Sequence, residues 1–464
     1  MSIAKSSSNT QDSSNHEKVN PFSVQALTLP KGGGAIRGIG EKFTANPATG
    51  SGRFTIPIPV SPGRSGFAPE LSLNYDSGTG NGLFGMGWSL ELPSIKRKTD
   101  KGLPKYDDGL NDEFIIAGAE ELVPVFKPNS NEIEDTSRSI NSVEFSIRQY
   151  RPRIEGLFSR IERWTRASDG DVHWRTISKD NVTTFYGRCE SDDRTQPVNS
   201  RVYDPENPSR VFEWLICQRF DDKGNAIEYT YLHESGDGVD QLAPHEANRR
   251  SIDRVSNRHI KKVRYGNKKS VLAVSSAVPP LGYDLSSMEW MFEIVFDYGE
   301  AHYEPAGNNA KGDLVRASLS GSQRPVTRPD AFSSYRSTFE LRTYRRCERV
   351  LLFHHFKELE TPDYLVKGLD FAYEDRGIGS LLSSVQQSGF ARLSDGLYLK
   401  KTLPPIEFKY SRSPLEPQVS FKATEFPIHD VPNDSLSNLP TGVVDGSYQW
   451  ADLNGEGISG ILAQ

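Results

Sequence analysis

Phe54-Thr-Ile-Pro-Ile-Pro-Val60, Leu71-Ser-Leu-Asn-Tyr75 and Gly82-Leu-Phe-Gly-Met-Gly-Trp-Ser-Leu-Glu-Leu92 follow one another in the first fifth of the chain. Their apolar side chains fall on alternate positions: 54, 56, 58 and 60; then 71, 73 and 75; then 88, 90 and 92. A period of two marks a strand with one buried face. Ser61-Pro-Gly-Arg-Ser-Gly66 and Asp76-Ser-Gly-Thr-Gly-Asn-Gly82 separate the runs, and glycine-rich breakers of this kind reverse a chain. Three short strands with tight turns predict a β meander.

The same texture continues downstream. Phe114-Ile-Ile116, Leu122–Phe126, Phe145–Tyr150, Trp164, Trp174–Ile177 and Asn181–Gly187 read as further short strands, with Asp169-Gly170 as a hairpin turn. Asp222-Lys-Gly-Asn225 is expected to reverse the chain so that Ile227, Tyr229 and Tyr231 share one strand face. Residues 233–258 are polar and predict a loop with at most one short helix. Ile260–Asn267 and Phe292–Tyr298 restore the strand pattern, and 299–330 predicts a long Gly/Ser/Arg/Pro loop. Phe339, Leu341 and Thr343, then Leu369, Phe371 and Tyr373, then Ile406, Phe408 and Tyr410 supply more alternation. The expected class is all-β: many short antiparallel strands in large curved sheets, shell-wall or sandwich-like.

Bulk composition narrows the function classes. At 464 residues the chain exceeds one typical core, so several domains or one large β assembly are expected. Lys and Arg total 55 against 61 Asp and Glu, a net charge of −6, which provides no segregated basic field for nucleic acid. Arg345, Arg346 and Arg349 form the longest basic cluster and read as a solvated strand face. Cys189, Cys217 and Cys347 lie far apart with no Cys-x-x-Cys pair, so they read as free thiols. Residues 1–20 are polar, predict a disordered tail and hold no Sec-type apolar segment. No run approaches the roughly 20 apolar residues of a spanning helix. Cytoplasmic synthesis is expected, with release or secretion by a route that needs no Sec signal.

These motifs carry a resemblance. Lys31–Arg37, Gly40-Glu-Lys-Phe43, Asn46-Pro-Ala-Thr-Gly50, the Phe54–Val60 run, Pro69–Tyr75, Gly82–Leu92 and, later, Arg328–Phe356 are similar in content and order to the SpvB-like domain. The series resembles above all the N-terminal region of the B components of bacterial insecticidal toxin complexes. The hairpin around Asp222–Asn225 resembles the tyrosine-and-aspartate repeats of Rhs shell proteins. Trp450-Ala-Asp-Leu-Asn-Gly-Glu-Gly-Ile-Ser-Gly-Ile-Leu462 resembles the opening of an FG-GAP-like propeller blade. The organisation this implies is a tail at 1–20, an SpvB-like β domain at 21–412, a linker at 413–438 and the start of a truncated β-propeller at 439–464.

Few constellations carry chemistry. Asp452, Asn454 and Glu456, with Gly455 and Gly457 on either side of Glu456, have the alternate spacing that lets a tight loop point oxygens at Ca²⁺. They are the candidate metal ligands, although Gly460 stands where the family pattern often carries an acid, and an Asx-type turn is the competing reading. Gly32-Gly33-Gly34 lacks the ending of a phosphate loop and reads as a turn. His354 and His355 are adjacent and would face opposite sides of a strand. His173 has no sequence-local carboxylate or thiol. The protein that names the family carries a C-terminal ADP-ribosyltransferase, whose chemistry uses a Glu-x-Glu pair with an upstream Ser-Thr-Ser. Glu132-Ile-Glu134 and Glu358-Leu-Glu360 match only the pair, and no catalytic residue or cofactor is carried over.

The resemblance implies a non-enzymatic structural module of a toxin complex. It would be part of a β-shell around a cytotoxic C-terminal segment, docked through the propeller on a pore-forming A component, with the C component as second partner. Neither nucleic acid nor membrane insertion by this chain is expected. The first alternative is the carrier region of a toxin whose ADP-ribosyltransferase domain is missing. The second, suggested by exposed aromatics, is a surface adhesion or glycan-binding β domain. Unpaired shell edges would lead the isolated chain to self-associate or remain partly disordered.

Overall fold

The computed structural model describes residues 41–411, apart from 47–50, 108–111, 118–119, 157, 190–198, 276 and 377–378, and the backbone of 448–451 and 460–463. The opening stretch forms a four-stranded antiparallel sheet of β1 (Lys42–Asn46), β2 (Ser51–Pro57), β3 (Ser72–Asp76) and β4 (Trp88–Leu90) in that order. Ile56 stands opposite Leu73, and Leu73 opposite Leu90; two residues along, Phe54, Tyr75 and Trp88 line up in the same way. The alternation thus puts Ile56, Leu73 and Trp88 into the core. Strand β2 stops at Pro57, short of the expected Val60, because Pro57 and Pro59 cannot donate to a ladder.

Eight strands then close on themselves. They are β5 (Ser94–Arg97), β6 (Phe114–Ile116), β7 (Glu120–Pro124), β8 (Val143–Pro152), β9 (Arg160–Arg166), β10 (Val172–Ile177), β11 (Thr183–Tyr186) and β12 (Asn207–Phe220). Each pairs antiparallel with the next, and β12 returns to pair with β5 through Trp214 and Ile95. An all-antiparallel ring needs an even number of strands, and closure removes the sheet edges. The interior is filled rather than hollow: Phe114, Tyr150, Trp174 and Trp214 meet from four different strands, with Phe114 to Trp174 at 5.1 Å and Tyr150 to Trp174 at 4.9 Å. A barrel of this size is just wide enough for side chains to fill it.

Strand β12 belongs to two sheets. Beyond it run β13 (Ala226–His233), β14 (Arg258–Asn267), β15 (Trp290–Asp297), β18 (Arg349–His354), β19 (Tyr364–Arg376), β20 (Gly379–Arg392), β21 (Tyr398–Thr402), β17 (Gly312–Ala317) and β16 (Tyr303–Asn309), all antiparallel. One apolar cluster runs through the meander, the barrel and this sheet, from Ile56 and Trp88 through Trp174 to Val385. The fold is all-β, as expected. No helix among the described residues is long and apolar enough to cross a membrane.

Three expectations are corrected and one holds. Residues 299–330 hold the β16–β17 hairpin, hidden from periodicity because each of its strands has a single buried residue, Tyr303 and Val315. The reading that holds is the polar loop at 233–258, whose one helical element is the short 3-10 turn Ser251–Arg254. Arg345 is not solvated: its side chain is fully buried. Cys189 and Cys217 are joined by a disulfide, and only Cys347 is a free, buried thiol.

The disulfide forms where β11 ends: Gly187 donates to the Leu215 carbonyl at 2.9 Å with φ +83°, and Cys189, two residues on, is bridged to Cys217 of β12 across 28 residues. On loop-closure entropy alone, that separation stabilises the fold by about 3–4 kcal/mol. Unfolding of the Cys189→Ser/Cys217→Ser chain should therefore occur at lower denaturant than wild type, and dithiothreitol should shift only the wild type.

The edges are blunted. Strand β16 carries Pro305 and a bulge before Gly307, and the outermost strand at Asp135–Ile140 is polar and exposed. Such features discourage edge-to-edge pairing. They favour a monomer over the self-association expected from the sequence, and multi-angle light scattering on the chain should return 51.8 kDa. A dimer or larger species would show an unprotected edge.

The chain divides into two compact units, Met1–Lys409 and Tyr410–Gln464. In the second, Tyr448–Ala451 pairs antiparallel with Gly460–Ala463. The intervening Asp452, Asn454 and Glu456, the expected linker and the 1–20 tail lie outside the described residues.

Candidate functional site

The glycine-rich run after β3 does more than turn. Asn81–Gly82 and Gly85–Met86 form a two-rung hairpin whose tip enters the large sheet. Phe84 is fully buried and meets Phe371 of β19 edge-on at 5.6 Å. The Leu83 carbonyl accepts from the Cys347 amide at 3.0 Å. Gly85 has φ +88°, and a Cβ there would lie 2.7 Å from the Ser380 carbonyl oxygen, so the close approach excludes a side chain. Arg328 bridges this tip to the sheet: it donates to the Gly82 carbonyl, the Asn81 side chain and Asp330, each at 2.8 Å. Asp330 in turn accepts from Ser380 and Asn81. Burial alone would raise its carboxyl, but those bonds hold it well below the usual carboxylate range.

A second clamp surrounds Glu234 and Glu246, in the polar segment that follows β13. Glu234 accepts from His259 at 2.8 Å, from the Tyr344 amide at 2.8 Å and from Arg345 at 3.0 Å. Arg345 also reaches the carbonyls of Ser235, Asp237 and Pro325. Glu246 accepts from Arg342 at 2.6 Å and from the Tyr344 hydroxyl at 2.5 Å. Both carboxyls are pushed up by burial, yet these donors hold them below their ordinary value. Buried charges survive only when paired and bonded in this way. The two clamps pin the hairpin tip and the 234–257 segment to the 328–347 run.

The structure scatters the residues singled out in the sequence. His354 and His355 do face opposite ways: His354 meets Ser61 Oγ at 2.7 Å, whereas His355 meets the Pro362 carbonyl and Asp363. Ser61 and His354 are a nucleophile-and-base pair that sequence reasoning missed, since 293 residues separate them. A hydrolytic triad needs a carboxylate on the far ring nitrogen, and no such bond exists among the described residues. Both Glu-x-Glu pairs sit on exposed turns, where Glu132 pairs with Lys127 and Glu360 with Arg392. Asp297, Glu300 and His302 cluster closely enough to hold a metal. The Lys261 ammonium already occupies that centre, bonding to Glu300 and to His302 Nε2 at 3.0 Å, while Arg349 takes Asp297.

His173 is a core residue. It lies between Trp164 and Phe185 on the outer face of the barrel and bonds the Pro280 carbonyl at 3.0 Å. Burial first, then Arg201, lowers its pKa to about 3. A histidine with a depressed folded-state pKa contributes stability that is complete above about 6.5 and is lost as pH falls towards 3. Between these limits the loss is about 1.4 kcal/mol per pH unit. Acid titrations of stability should be flatter by that slope in His173→Leu; an unchanged slope would place the acid sensitivity elsewhere.

Residues 46–356 match the family described as Salmonella virulence plasmid 65kDa B protein, SpvB. Mono(ADP-ribosyl)transferase SpvB of Salmonella typhimurium strain 14028s is 35% identical over 374 residues, covering 78% of this chain and 57% of that protein; the Salmonella dublin protein matches to the same extent. The chain thus spans little more than half the length of these curated relatives. The solved N-terminal domain of SpvB from strain LT2 superposes with a TM-score of 0.61 at 32% identity, over 73% of this chain and 98% of that domain. The TcdB2-TccC3 structure superposes with a TM-score of 0.69 at 30% identity, over 96% of this chain and 20% of that one. The Photorhabdus luminescens Tc holotoxin pore gives 0.68 at 29% identity, again over 96% of this chain and 19% of that one. With two-thirds of its length inside the family match and its β architecture shared by all three solved structures, the chain belongs to the SpvB family.

Proposed function

We propose that the chain is a non-enzymatic wall segment of a toxin complex. It would form part of the β-shell that encloses a cytotoxic C-terminal segment, and a propeller following Lys409 would dock on a pore-forming A component. The observation that carries this reading is the superposition of 96% of the chain on one-fifth of TcdB2-TccC3. A closed, filled barrel fused to a long antiparallel sheet, pinned by buried ion pairs, suits a rigid wall. Export would follow synthesis in the cytoplasm, without a Sec signal. Co-expressed with the remainder of a B component and a C component, the chain should co-purify in a stoichiometric, protease-resistant particle. Failure to associate would overturn the reading.

The names of the curated relatives favour a second reading, the carrier region of an ADP-ribosyltransferase. The coding sequence beyond Gln464 separates the two: further propeller blades and Rhs repeats support a wall, and a Ser-Thr-Ser with Glu-x-Glu pattern supports a transferase. Transfer of ADP-ribose from NAD by this chain alone would contradict the non-enzymatic assignment.

A further inference from the structure

The barrel is plugged by aromatics at its waist, but one mouth is open. A cleft of about 340 Å³ lies over the ends of β10, β11 and β12, bounded on the other side by the segments that flank the meander. Cavities of roughly 300 Å³ and above at barrel mouths are common sites for small ligands. An eight-stranded barrel has room for one such ligand.

Strand register decides what faces the cleft. Thr176 pairs with Thr184, and Trp174 with Tyr186, so Thr176, Thr184 and Tyr186 share the inner face with the Trp174 plug. Arg219 stands opposite Thr184 on β12 and therefore points the same way. Tyr229 follows from Ile227, the residue opposite Arg219 on β13. Glu70 and Glu91 stand exposed on the rim. Arg219 is half-buried against the Phe67 ring at 5.6 Å, and neither it nor Glu70 or Glu91 has an ion pair among the described residues.

We propose that this mouth binds a neutral carbohydrate, one or two sugar rings deep. Tyr186 already bonds the hydroxyls of Thr176 and Thr184, so an apolar ligand would leave the Tyr229 hydroxyl and the Arg219 guanidinium facing it without water, at a cost in free energy for each unmade bond. A phosphate or carboxylate would meet Arg219 but also two carboxylates, and a metal ion would meet the carboxylates but also the guanidinium. A sugar hydroxyl donates and accepts at one atom, so it can give its proton to Glu70 or Glu91 while accepting from Arg219. A floor of hydroxyls beneath one guanidinium and two carboxylates matches a polyol and little else. The inference is independent of the wall assignment, since a barrel mouth can bind a sugar whether or not the sheet around it closes a shell.

Saturation-transfer difference NMR on the full 464-residue chain tests the site, with glucose, galactose, mannose and N-acetylglucosamine as probes. At least one sugar should receive saturation on its ring protons. Arg219→Met and Glu91→Gln should each weaken binding about tenfold, the loss of one charge-assisted bond, with an unchanged thermal transition to show that both variants fold. Tyr229→Phe, which removes one hydroxyl and no packing, should weaken it less. No saturation of any of the four sugars would overturn the proposal. So would undiminished binding in folded Arg219→Met, which would put the sugar elsewhere on the chain.

Discussion

Replacing Glu234 by alanine is expected to destabilise the 41–409 unit by about 3–5 kcal/mol, the cost of leaving a buried counter-ion unpaired. The counter-ion is Arg345, whose side chain is fully buried and whose only carboxylate among the described residues is Glu234 at 3.0 Å. Its other partners are the carbonyls of Ser235, Asp237 and Pro325 and two hydroxyls, which cannot neutralise a guanidinium. The substitution also leaves the buried Tyr344 amide and His259 ring without acceptors. Glu234→Gln should fall between wild type and alanine, keeping the shape and one acceptor but losing the charge. Since the Glu234 carboxyl is held below its ordinary value, its contribution is present above about pH 4.5 and is lost as pH falls through the folded-state value. Urea unfolding at pH 7 checks the prediction; a loss under about 1 kcal/mol would mean that Arg345 finds water or another acceptor.

Phe84→Ala should cost a similar amount, about 3–5 kcal/mol, by a different mechanism. The ring is fully buried between the hairpin tip and β19, and it touches Phe371 at 5.6 Å. Its removal opens a cavity at the point where the meander is keyed into the large sheet. Gly85→Ala should also destabilise, by more than about 1 kcal/mol, because the new methyl must occupy a left-handed backbone position 2.7 Å from a carbonyl oxygen. Both losses should appear as earlier proteolysis within 77–92 as well as a lower midpoint. If Phe84→Ala unfolds like wild type, the hairpin is an ornament on the sheet and not its key.

Much of the fold was legible because strands write their buried face in the sequence. Ile56, Leu73 and Trp88 were placed in the core by alternation alone, and Ile227, Tyr229 and Tyr231 by the turn at Asp222–Asn225. The β16–β17 hairpin was missed because one buried residue per strand, Tyr303 and Val315, leaves no alternation to read. Arg345 was misplaced for a related reason: composition places arginine in water, and only a carboxylate 111 residues away overrides it. The disulfide escaped because spacing cannot show that β11 and β12 run side by side.

Local period and turn chemistry by themselves determined an all-β chain and the inward face of its strands, since both depend on neighbours within a few residues. The order of short motifs pointed to the family. Only the tertiary structure decided which strands close into a barrel, which charges are buried together and which hydroxyls share the open mouth. Those depend on pairing between residues tens to hundreds of positions apart, and the free energy that selects such pairs belongs to the packed core rather than to any one segment.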